Sequence, residues 1–309
     1  MKKSAFKLLG WVTPAVLTIV IAAGALPSTQ AYAEGFSKVQ IKTTDLGHGV
    51  YMLRGSGGNI GVSIGEDGVF LVDDQFAPLT DKIKAAIAKL SDKPIRFVLN
   101  THWHFDHTGG NENLGKSGVL IVAHDNVRTL MSKDRFIAAF NKKVPAAAKI
   151  ALPSITFSDS TTFHMNGETL AIKHLAPGHT DGDSIVRFRK ANVIHTGDLF
   201  FNGFYPFIDV QHGGSINGLI VDVAAILAFA NDDTKIIPGH GPLSNKSQLT
   251  TYREMLLGVR DNVKKLVDAG KTEAEVIAAK PTVEFDAKWG NGFLKPDKFV
   301  KIIYSDLAR

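Results

Sequence analysis

The chain has 309 residues, 44% of them hydrophobic, and its 35 lysines and arginines outnumber its 30 aspartates and glutamates. This length and composition suffice for one large domain or two fused halves with a substantial core, and they argue against a disordered chain or a repeat array. Cysteine is absent, which excludes disulfides and thiolate metal sites, and no dense run of basic residues marks a nucleic-acid surface.

The first 33 residues have the pattern of a secretory signal peptide. Three lysines lie within the first seven residues, an apolar stretch follows over residues 8–26, and Ala31 and Ala33 form a small-x-small end. We therefore expect cleavage after Ala33 and export to the periplasm or the outside, with no stable membrane partner afterwards. The apolar stretch is also long enough for an uncleaved membrane anchor. Cleavage would remove three lysines and no acidic residue, leaving a nearly balanced charge of 32 basic against 30 acidic residues.

Strands dominate the first part of the mature chain. Apolar, β-branched segments between glycine-containing turns predict four strands, and a helix with one apolar face follows them, with Thr80 and Asp81 as candidate caps. A further buried strand comes next. The predicted strands cover residues 39–43, 50–54, 59–64, 69–73 and 94–100.

The remainder of the chain continues the alternation of strands and helices. Residues 133–154, with Pro145 and an alanine-rich patch, indicate a mobile insertion or a partial helix. Strands are predicted at 119–123, 157–163, 168–175, 184–189 and 192–195, and helices at 126–132, 216–230, 245–269, 273–279 and 297–307. Ser215 is the candidate cap of the helix at 216–230.

A polar cluster follows directly after the predicted strand at 94–100. It contains His102, His104, Asp106 and His107. Extended backbone would put the imidazoles of His102 and His104 on one face, because side chains alternate with period two. Asp106 and His107 are adjacent and would point to different sides of the turn. This geometry suits two neighbouring metal ions better than one.

Three more polar residues come later, each beside an apolar run. They are His179 in Pro-Gly-His-Thr-Asp-Gly-Asp, Asp198 in His-Thr-Gly-Asp-Leu-Phe and His240 in Pro-Gly-His-Gly. All four clusters can therefore converge at one edge of a sheet system. Imidazole suits zinc and a carboxylate can bridge two cations, which narrows the metal to zinc, iron or manganese.

The order and spacing of these motifs resemble those of the metallo-β-lactamase superfamily. The resemblance covers nearly the whole mature chain, from about Val39 to the last predicted helix. It implies an α/β fold, the four-layer αββα sandwich, with residues 34–309 forming a single domain made of two αβ halves. It also implies two zinc ions, with iron or manganese possible. In the family pattern, His102, His104 and His179 bind one metal, Asp106, His107 and His240 bind the other, and Asp198 lies between them.

The same resemblance implies a zinc-dependent hydrolase that uses a metal-bridging hydroxide on a small-molecule substrate. Asp106 would orient the hydroxide as well as bind metal. A cyclic amide or ester, such as a β-lactam or a lactone, is the first expectation. Asp198, however, stands where many β-lactam-cleaving members have cysteine or serine, so the ligands alone do not imply a β-lactam.

Two alternatives remain open. Aspartate at position 198 is typical of the glyoxalase II, lactonase and nuclease branches, which makes a glyoxalase II-like thioesterase the second reading. An iron-binding redox or binding protein on the same fold is the third, although His104 stands where flavodiiron proteins have glutamate. A nuclease is the weakest reading because the mature charge is nearly balanced.

Some residues near the ligands are weaker candidates. In the aromatic run at 200–207, Asn202, Phe204 and Tyr205 could line a substrate pocket, or the rings could pack between the sheet layers. The oligomeric state is left open.

Asp73 and Asp74 end a predicted strand. Either could accept a hydrogen bond from a ligand imidazole and fix its tautomer, and Asp73 is the preferred candidate. The alternative is an ordinary turn aspartate. His195 is interpreted as a strand histidine with a satisfied hydrogen bond.

Overall fold

Two β-sheets form the middle of the fold in this computed structural model, which describes residues 35–175 and 177–309. The predicted signal peptide, residues 1–33, lies outside the described residues. Within the described part of the chain, none of the helices is long and apolar enough to cross a membrane.

The first half of the chain builds a seven-stranded sheet. Its elements are β1 (Lys42–Gly47), β2 (Val50–Arg54), β3 (Ile60–Gly65), β4 (Gly68–Val72), α1 (Thr80–Ala88), β5 (Ile95–Leu99), α2 (Phe105–Thr108), α3 (Asn111–Lys116), β6 (Leu120–His124), α4 (Asp125–Met131), β7 (Arg135–Ile137), β8 (Lys142–Val144) and β9 (Ile155–Phe157). The sheet order is β1-β2-β3-β4-β5-β6-β9, antiparallel from β1 to β4 and parallel from β4 onward. Strands β7 and β8 form a separate hairpin.

The second half builds a six-stranded sheet in the order β10-β11-β12-β13-β14-β15. Its elements are β10 (Ser160–Met165), β11 (Glu168–His174), β12 (Ser184–Phe188), β13 (Val193–His195), α5 (Ile216–Phe229), β14 (Lys235–Ile237), β15 (Ser244–Asn245), α6 (Lys246–Asp268), α7 (Glu273–Ala278), α8 (Val283–Trp289) and α9 (Pro296–Leu307). Strands β13 and β14 are parallel, with α5 in the connection between them.

A hydrophobic cluster joins the two sheets face to face. Phe70 from the first sheet packs edge-on against Phe163 from the second, with 5.0 Å between ring centroids. Burying each large apolar side chain here stabilises the fold by roughly 1.5–3 kcal/mol. The fully buried members of the cluster include Val50, Phe70, Val72, Leu99, Val122, Leu170, Val186 and Ile237.

Helices cover the outer faces of both sheets. Ile216, Leu219 and Val223 of α5 pack in one cluster with Ile194 and Ile236 of the second sheet. On the first sheet, Leu71 and Val98 alternate with the residues that face the second sheet, so they point to the opposite side. Helices α3 and α4 contact β6 of this sheet, and α1 buries Ile83 and Ile87. The result is the four-layer αββα sandwich, which confirms the predicted fold class.

Several predicted boundaries were wrong. The predicted strand at 157–163 is two strands, because the chain leaves the first sheet after β9 and enters the second at β10. The segment at 133–154 contains the β7–β8 hairpin and short 3-10 turns. The two-residue strand β15, the three-residue strand β14 and helix α8 were not predicted.

The predicted caps also differ from the observed ones. Helix α1 begins at Thr80, whose hydroxyl donates to the carbonyl of Ala77. Ser215 occupies the N-cap position of α5 without a side-chain hydrogen bond, and the carboxylate of Asp306 accepts from the Ile216 amide instead. The carboxylate of Asp306, in α9, therefore accepts a hydrogen bond from the first turn of α5 in place of the Ser215 hydroxyl.

Candidate metal centre

The seven predicted ligands lie together at one edge of the two sheets. His102 and His104 follow β5, Asp198 follows β13 and His240 follows β14, so the carboxyl ends of three strands supply them. Chemistry in α/β sheets commonly sits at this edge because the loops there converge. Short glycine-containing loops and the four-residue helix α2 supply the remaining ligands, His179, Asp106 and His107.

The first group consists of His102, His104, His179 and Asp198, all buried, with potential ligand atoms within 4.8 Å of one another. Nδ1 of His104 lies 2.8 Å from Nε2 of His179. Oδ2 of Asp198 lies 3.5 Å from Nε2 of His179 and 3.8 Å from Nε2 of His102.

The second group consists of Asp106, His107 and His240. Nε2 of His107 and Nε2 of His240 are 3.2 Å apart. Oδ2 of Asp106 lies 3.3 Å from Nε2 of His240. Asp106 is 21% exposed at its side chain, so this group opens toward solvent more than the first does.

Asp198 reaches both groups with different oxygens. Its Oδ2 faces the first group, and its Oδ1 lies 3.1 Å from Nε2 of His107 and 3.4 Å from Nε2 of His240. A carboxylate placed in this way can bridge two cations. This is the arrangement expected when Asp198 lies between two metal ions.

Each histidine of the first group binds an acceptor through its other ring nitrogen. Nε2 of His104 is 3.0 Å from Oδ2 of Asp209, and Nδ1 of His179 is 2.7 Å from the carbonyl of Phe207. Nδ1 of His102 is 3.0 Å from Oγ1 of Thr101. Partners of this kind fix the tautomer and the orientation of a ligand imidazole.

The tautomers leave lone pairs that face one another. The proton of His104 lies on Nε2 and that of His179 on Nδ1, because their partners are acceptors. The two nitrogens that are 2.8 Å apart therefore both present lone pairs, which repel unless a cation lies beside them. Nε2 of His102 is buried without a hydrogen-bond partner in the described structure. The donor set and these orphaned lone pairs fit a divalent metal.

Asp73 supports the second group. Its Oδ2 lies 2.8 Å from Nδ1 of His107 and accepts from Oγ1 of Thr101, while its Oδ1 accepts from the Thr101 amide. Asp73 has φ of 65°, a left-handed conformation that aspartate tolerates better than most residues. Asp74, the other candidate, instead accepts from the Gly110 amide.

Charge within the second group favours cations. Burial alone would lower the pKa of His240, but Asp198 and Asp106 together raise it to about 9. Burial likewise opposes protonation of His107, and the carboxylates of Asp198, Asp73 and Asp106 nevertheless raise its pKa. The carboxylates thus prefer positive charge at this position, which a metal ion would supply.

The first group favours neutral imidazoles. Burial lowers the pKa of His179 to about 4, and burial together with neighbouring imidazoles, His107 first among them, lowers that of His102. Neutral imidazole is the form that binds metal. Metal binding near pH 7 would therefore need no proton release from these two rings.

The three predicted pocket residues do not line the cavity that adjoins the metal-binding cluster. Tyr205 is fully buried, and its hydroxyl donates to Oδ1 of Asp286 at 2.8 Å, so it belongs to the helical core. Asn202 donates to the carbonyl of Pro242. Phe204 packs edge-on against Phe201, with 5.8 Å between the ring centroids. For Tyr205, the alternative of packing inside the fold is the one observed.

Sequence reasoning missed Asp209 and assigned no role to His212. Oδ2 of Asp209 accepts from Nε2 of His104 and also lies 2.8 Å from Nδ1 of His212. Asp209 follows the aromatic run and has no motif around it. The only available signal was a charged residue within an otherwise apolar segment, Phe207-Ile208-Asp209-Val210. His195 bonds the carbonyl of Asn59 through Nε2, as expected for a strand histidine.

Comparison with known proteins agrees with this geometry. A family model described as the metallo-beta-lactamase superfamily matches residues 53–240. A hydroxyacylglutathione hydrolase from a Polaromonas species is 31% identical over 180 residues, which cover 57% of this chain and 60% of that protein. A probable metallo-hydrolase from Bacillus subtilis is 27% identical over 188 residues, covering 56% of this chain and 83% of the relative. The chain spans less than two thirds of the Polaromonas enzyme that it matches.

Solved structures share the fold at low sequence identity. A metallo-beta-lactamase from Pontibacter korlensis aligns with TM-score 0.58 and 21% identity, over 71% of this chain and 99% of that one. The stereoselective inverting sec-alkylsulfatase Pisa1 from Pseudomonas sp. aligns with TM-score 0.65 and 16% identity, over 86% of this chain and 50% of that one. With a family match over more than half of the chain and the ligand cluster in place, the protein belongs to the metallo-β-lactamase superfamily.

Proposed function

We propose that this protein is a dinuclear zinc hydrolase that cleaves a carbonyl ester or amide bond of a small molecule, with a cyclic substrate such as a lactone or β-lactam as the first candidate. The observation that supports two metals is Asp198, whose two oxygens face the two separate groups. Iron and manganese also fit nitrogen and oxygen ligands, and metal analysis distinguishes them.

The residues divide into two binding sets. As in the family pattern, His102, His104 and His179 would hold one ion and Asp106, His107 and His240 the other, with Asp198 shared between them. Zinc bound there would polarise a substrate carbonyl and lower the pKa of water toward neutrality.

Asp106 is suited to a second task. It is the most exposed carboxylate of the centre and lies on the wall of the adjoining cavity, with Oδ2 directed at His240. A carboxylate at a cavity wall can accept a hydrogen bond from an attacking water and orient it. The buried carboxylates Asp73 and Asp209 instead bond imidazoles, so their contribution is to hold His107 and His104 in place.

A thioesterase of glyoxalase II type is the second candidate. Two hydroxyacylglutathione hydrolases, from Polaromonas and from Nitrosococcus oceani, match at 31% and 29% identity. Aspartate at position 198 also supports this reading. The signal-like segment at residues 1–33 supports export instead, and thioesters are scarce outside the cytoplasm, so we rank the thioesterase second.

The proposal is tested by measuring metal content and turnover on one purified sample against lactones, β-lactams and thioesters. About two zinc ions per chain and cleavage that a chelator abolishes would support the hydrolase, and the preferred substrate would choose between the candidates. The His104→Ala variant should lose turnover and metal, whereas His164→Ala, at an exposed histidine of β10, serves as the matched control. Full activity in a folded His104→Ala protein would refute the ligand assignment, and iron without hydrolysis would favour a redox or binding role.

A further inference from the structure

A cavity of about 340 Å³ adjoins the metal-binding cluster. Its lining includes His104, Asp106, Asp198 and His240, so a molecule in the cavity would reach both ligand groups. This volume lies at the lower end of the range for small-molecule pockets, roughly 300–1,000 Å³.

Aromatic side chains form most of the remaining wall, and they come from separate parts of the chain. Phe105 belongs to α2, Phe140 to the turn of the β7–β8 hairpin, and Phe293 to the segment between α8 and α9. The phenylalanines of the wall are Phe76, Phe105, Phe140, Phe201, Phe207 and Phe293.

The rings form a continuous surface. Phe140 packs edge-on against Phe207 with 4.7 Å between centroids and lies 6.3 Å from Phe293. Phe293 in turn lies 6.1 Å from Phe201, which stacks on the ring of His240 at 5.1 Å. The aromatic surface therefore extends from the opening of the cavity to a proposed metal ligand.

Two of these rings are exposed. Phe140 is 38% exposed and Phe293 is 54% exposed, whereas Phe201 and Phe207 are buried. Large apolar side chains exposed side by side at the opening of a pocket are typical of a ligand-binding surface. An apolar ligand would remove both rings from water.

Two lysines pack against rings of the aromatic wall. Nζ of Lys142 lies 3.3 Å from the centroid of Phe105, and Nζ of Lys298 lies 4.9 Å from that of Phe140. Among the described residues that line the cavity, none is a lysine or an arginine. Away from the metal ligands, a ligand carboxylate inside the cavity would therefore face aromatic rings and neither a lysine nor an arginine.

We propose that the cavity binds the acyl part of the substrate as an uncharged apolar group, aryl or alicyclic, and that Phe140 and Phe293 determine this specificity. The inference rests on the proposed hydrolase for the identity of the reacting bond, but the apolar selectivity can be measured without turnover. A cavity of this kind disfavours substrates that carry a carboxylate on the acyl side.

Binding tests the selectivity independently of catalysis. The probes are two ketones that cannot be hydrolysed, neutral 4-phenyl-2-butanone and anionic 4-oxopentanoate, whose affinities are measured by ligand-observed NMR on the metal-loaded protein. The neutral ketone should bind at least about 10-fold more tightly, and the Phe140→Ala/Phe293→Ala double variant should lose that preference. Phe136→Ala, at a 43% exposed phenylalanine of the same hairpin that does not line the cavity, is the matched control and should keep it.

Turnover provides the second measurement. The ratio of kcat/KM for the p-nitrophenyl ester of 3-phenylpropionate to that of the succinate monoester should fall at least about 10-fold in the double variant and stay unchanged in Phe136→Ala. Tight binding of the neutral ketone without hydrolysis of any ester would contradict the proposed function and leave this inference standing. Equal binding of both ketones, or a preference for the anion that Lys142→Met or Lys298→Met removes, would overturn the inference.

Discussion

Oδ2 of Asp209 lies 3.0 Å from Nε2 of His104, the ring nitrogen that points away from the ligand cluster. The other nitrogen of His104 faces His179 at 2.8 Å. One carboxylate outside the ligand set therefore fixes which nitrogen of His104 is free to bind metal. The depressed pKa of Asp209, held down against burial by hydrogen bonds from His104 and His212, keeps this carboxylate ionised.

Replacing Asp209 with asparagine should weaken metal binding at the first group. The amide keeps the shape of the side chain but removes the negative charge that orients His104, and partners of this kind are worth about 10–100-fold in metal affinity. Competition with a chromophoric chelator measures the loss. The matched variant Asp73→Asn should weaken the second group instead, because Asp73 bonds His107. Unchanged affinity in both folded variants would show that neither carboxylate contributes through its charge.

Metal removal should destabilise the protein. The ligands come from loops that are distant in sequence, between His102 and His240, so bound metal ties both halves of the fold together. A ligand at about 1,000 times its Kd stabilises the native state by about 4 kcal/mol. For a domain of this size that corresponds to a fall in Tm on the order of 10 °C when chelator is added. Differential scanning calorimetry with and without added zinc measures it, and an unchanged Tm would contradict a metal that links the two halves.

Gly58 should not accept a side chain. Its amide donates to the carbonyl of Asp106 and its carbonyl accepts from Gln75, which holds the backbone in place. A Cβ at this position would overlap the ring of His107. We expect Gly58→Ala to displace His107, to lower metal content toward one ion per chain, and to reduce turnover by about 100-fold.

Substitution of a second glycine is the control, because it separates displacement of His107 from the general loss of stability when a glycine is replaced. Gly118 has φ of 83° and open space around the position of a Cβ. Gly118→Ala should therefore lower stability through backbone strain and leave metal content unchanged. Full metal content in Gly58→Ala would mean that the loop can move away from His107.

Substitution of Tyr205 tests whether its side chain stabilises the core or lines the substrate pocket. Its hydroxyl donates to Asp286, and its ring stacks on Phe299 at 4.5 Å between centroids. Tyr205→Phe should therefore cost about 1 kcal/mol of the free energy of unfolding, measured by urea denaturation, with kcat and KM unchanged. A rise in KM without loss of stability would return Tyr205 to the substrate pocket.

The ligand cluster was predictable because its residues are marked locally. Histidine and aspartate at the ends of apolar strands, with glycine and proline beside them, indicate loops at a sheet edge, and the family pattern supplied the grouping. The switch of sheets between β9 and β10 was not predicted. The polar run Ser158-Asp159-Ser160 interrupts the apolar pattern there, but only the pairing partners reveal that the chain changes sheets.

Contacts between residues that are distant in sequence were also not predicted. Asp209 acts on a histidine 105 positions away, and Phe293 reaches the cavity from the segment before α9. The charged Asp209 within an apolar segment was a local signal, but the sequence around neither residue indicates its partner, because the fold brings them to the site. Tyr205 follows a ligand motif in the sequence, but it is buried and its hydroxyl donates to Asp286 of α8, a contact that the sequence does not indicate either.

Asp222 should make stability depend on pH. This residue of α5 is buried, its Oδ2 has no hydrogen-bond partner in the described structure, and burial raises its pKa to about 7. An acid with a raised pKa binds more protons in the folded state, so its effect is a loss of stability as pH rises from about 4 through 7.

Asp222→Asn removes the ionisable group while keeping its shape. The variant should therefore have a higher Tm than the parent protein, and the gain should be larger at pH 8 than at pH 5. In the free energy of unfolding, the gain at pH 8 should exceed the gain at pH 5 by an amount on the order of 2 kcal/mol. Thermal unfolding of both proteins across this range, at saturating zinc so that metal loading stays constant, measures the difference. A Tm difference that is the same at pH 5 and pH 8 would show that Asp222 titrates at its ordinary pKa, and a difference that shrinks at pH 8 would mean that the ionised carboxylate has a stabilising partner.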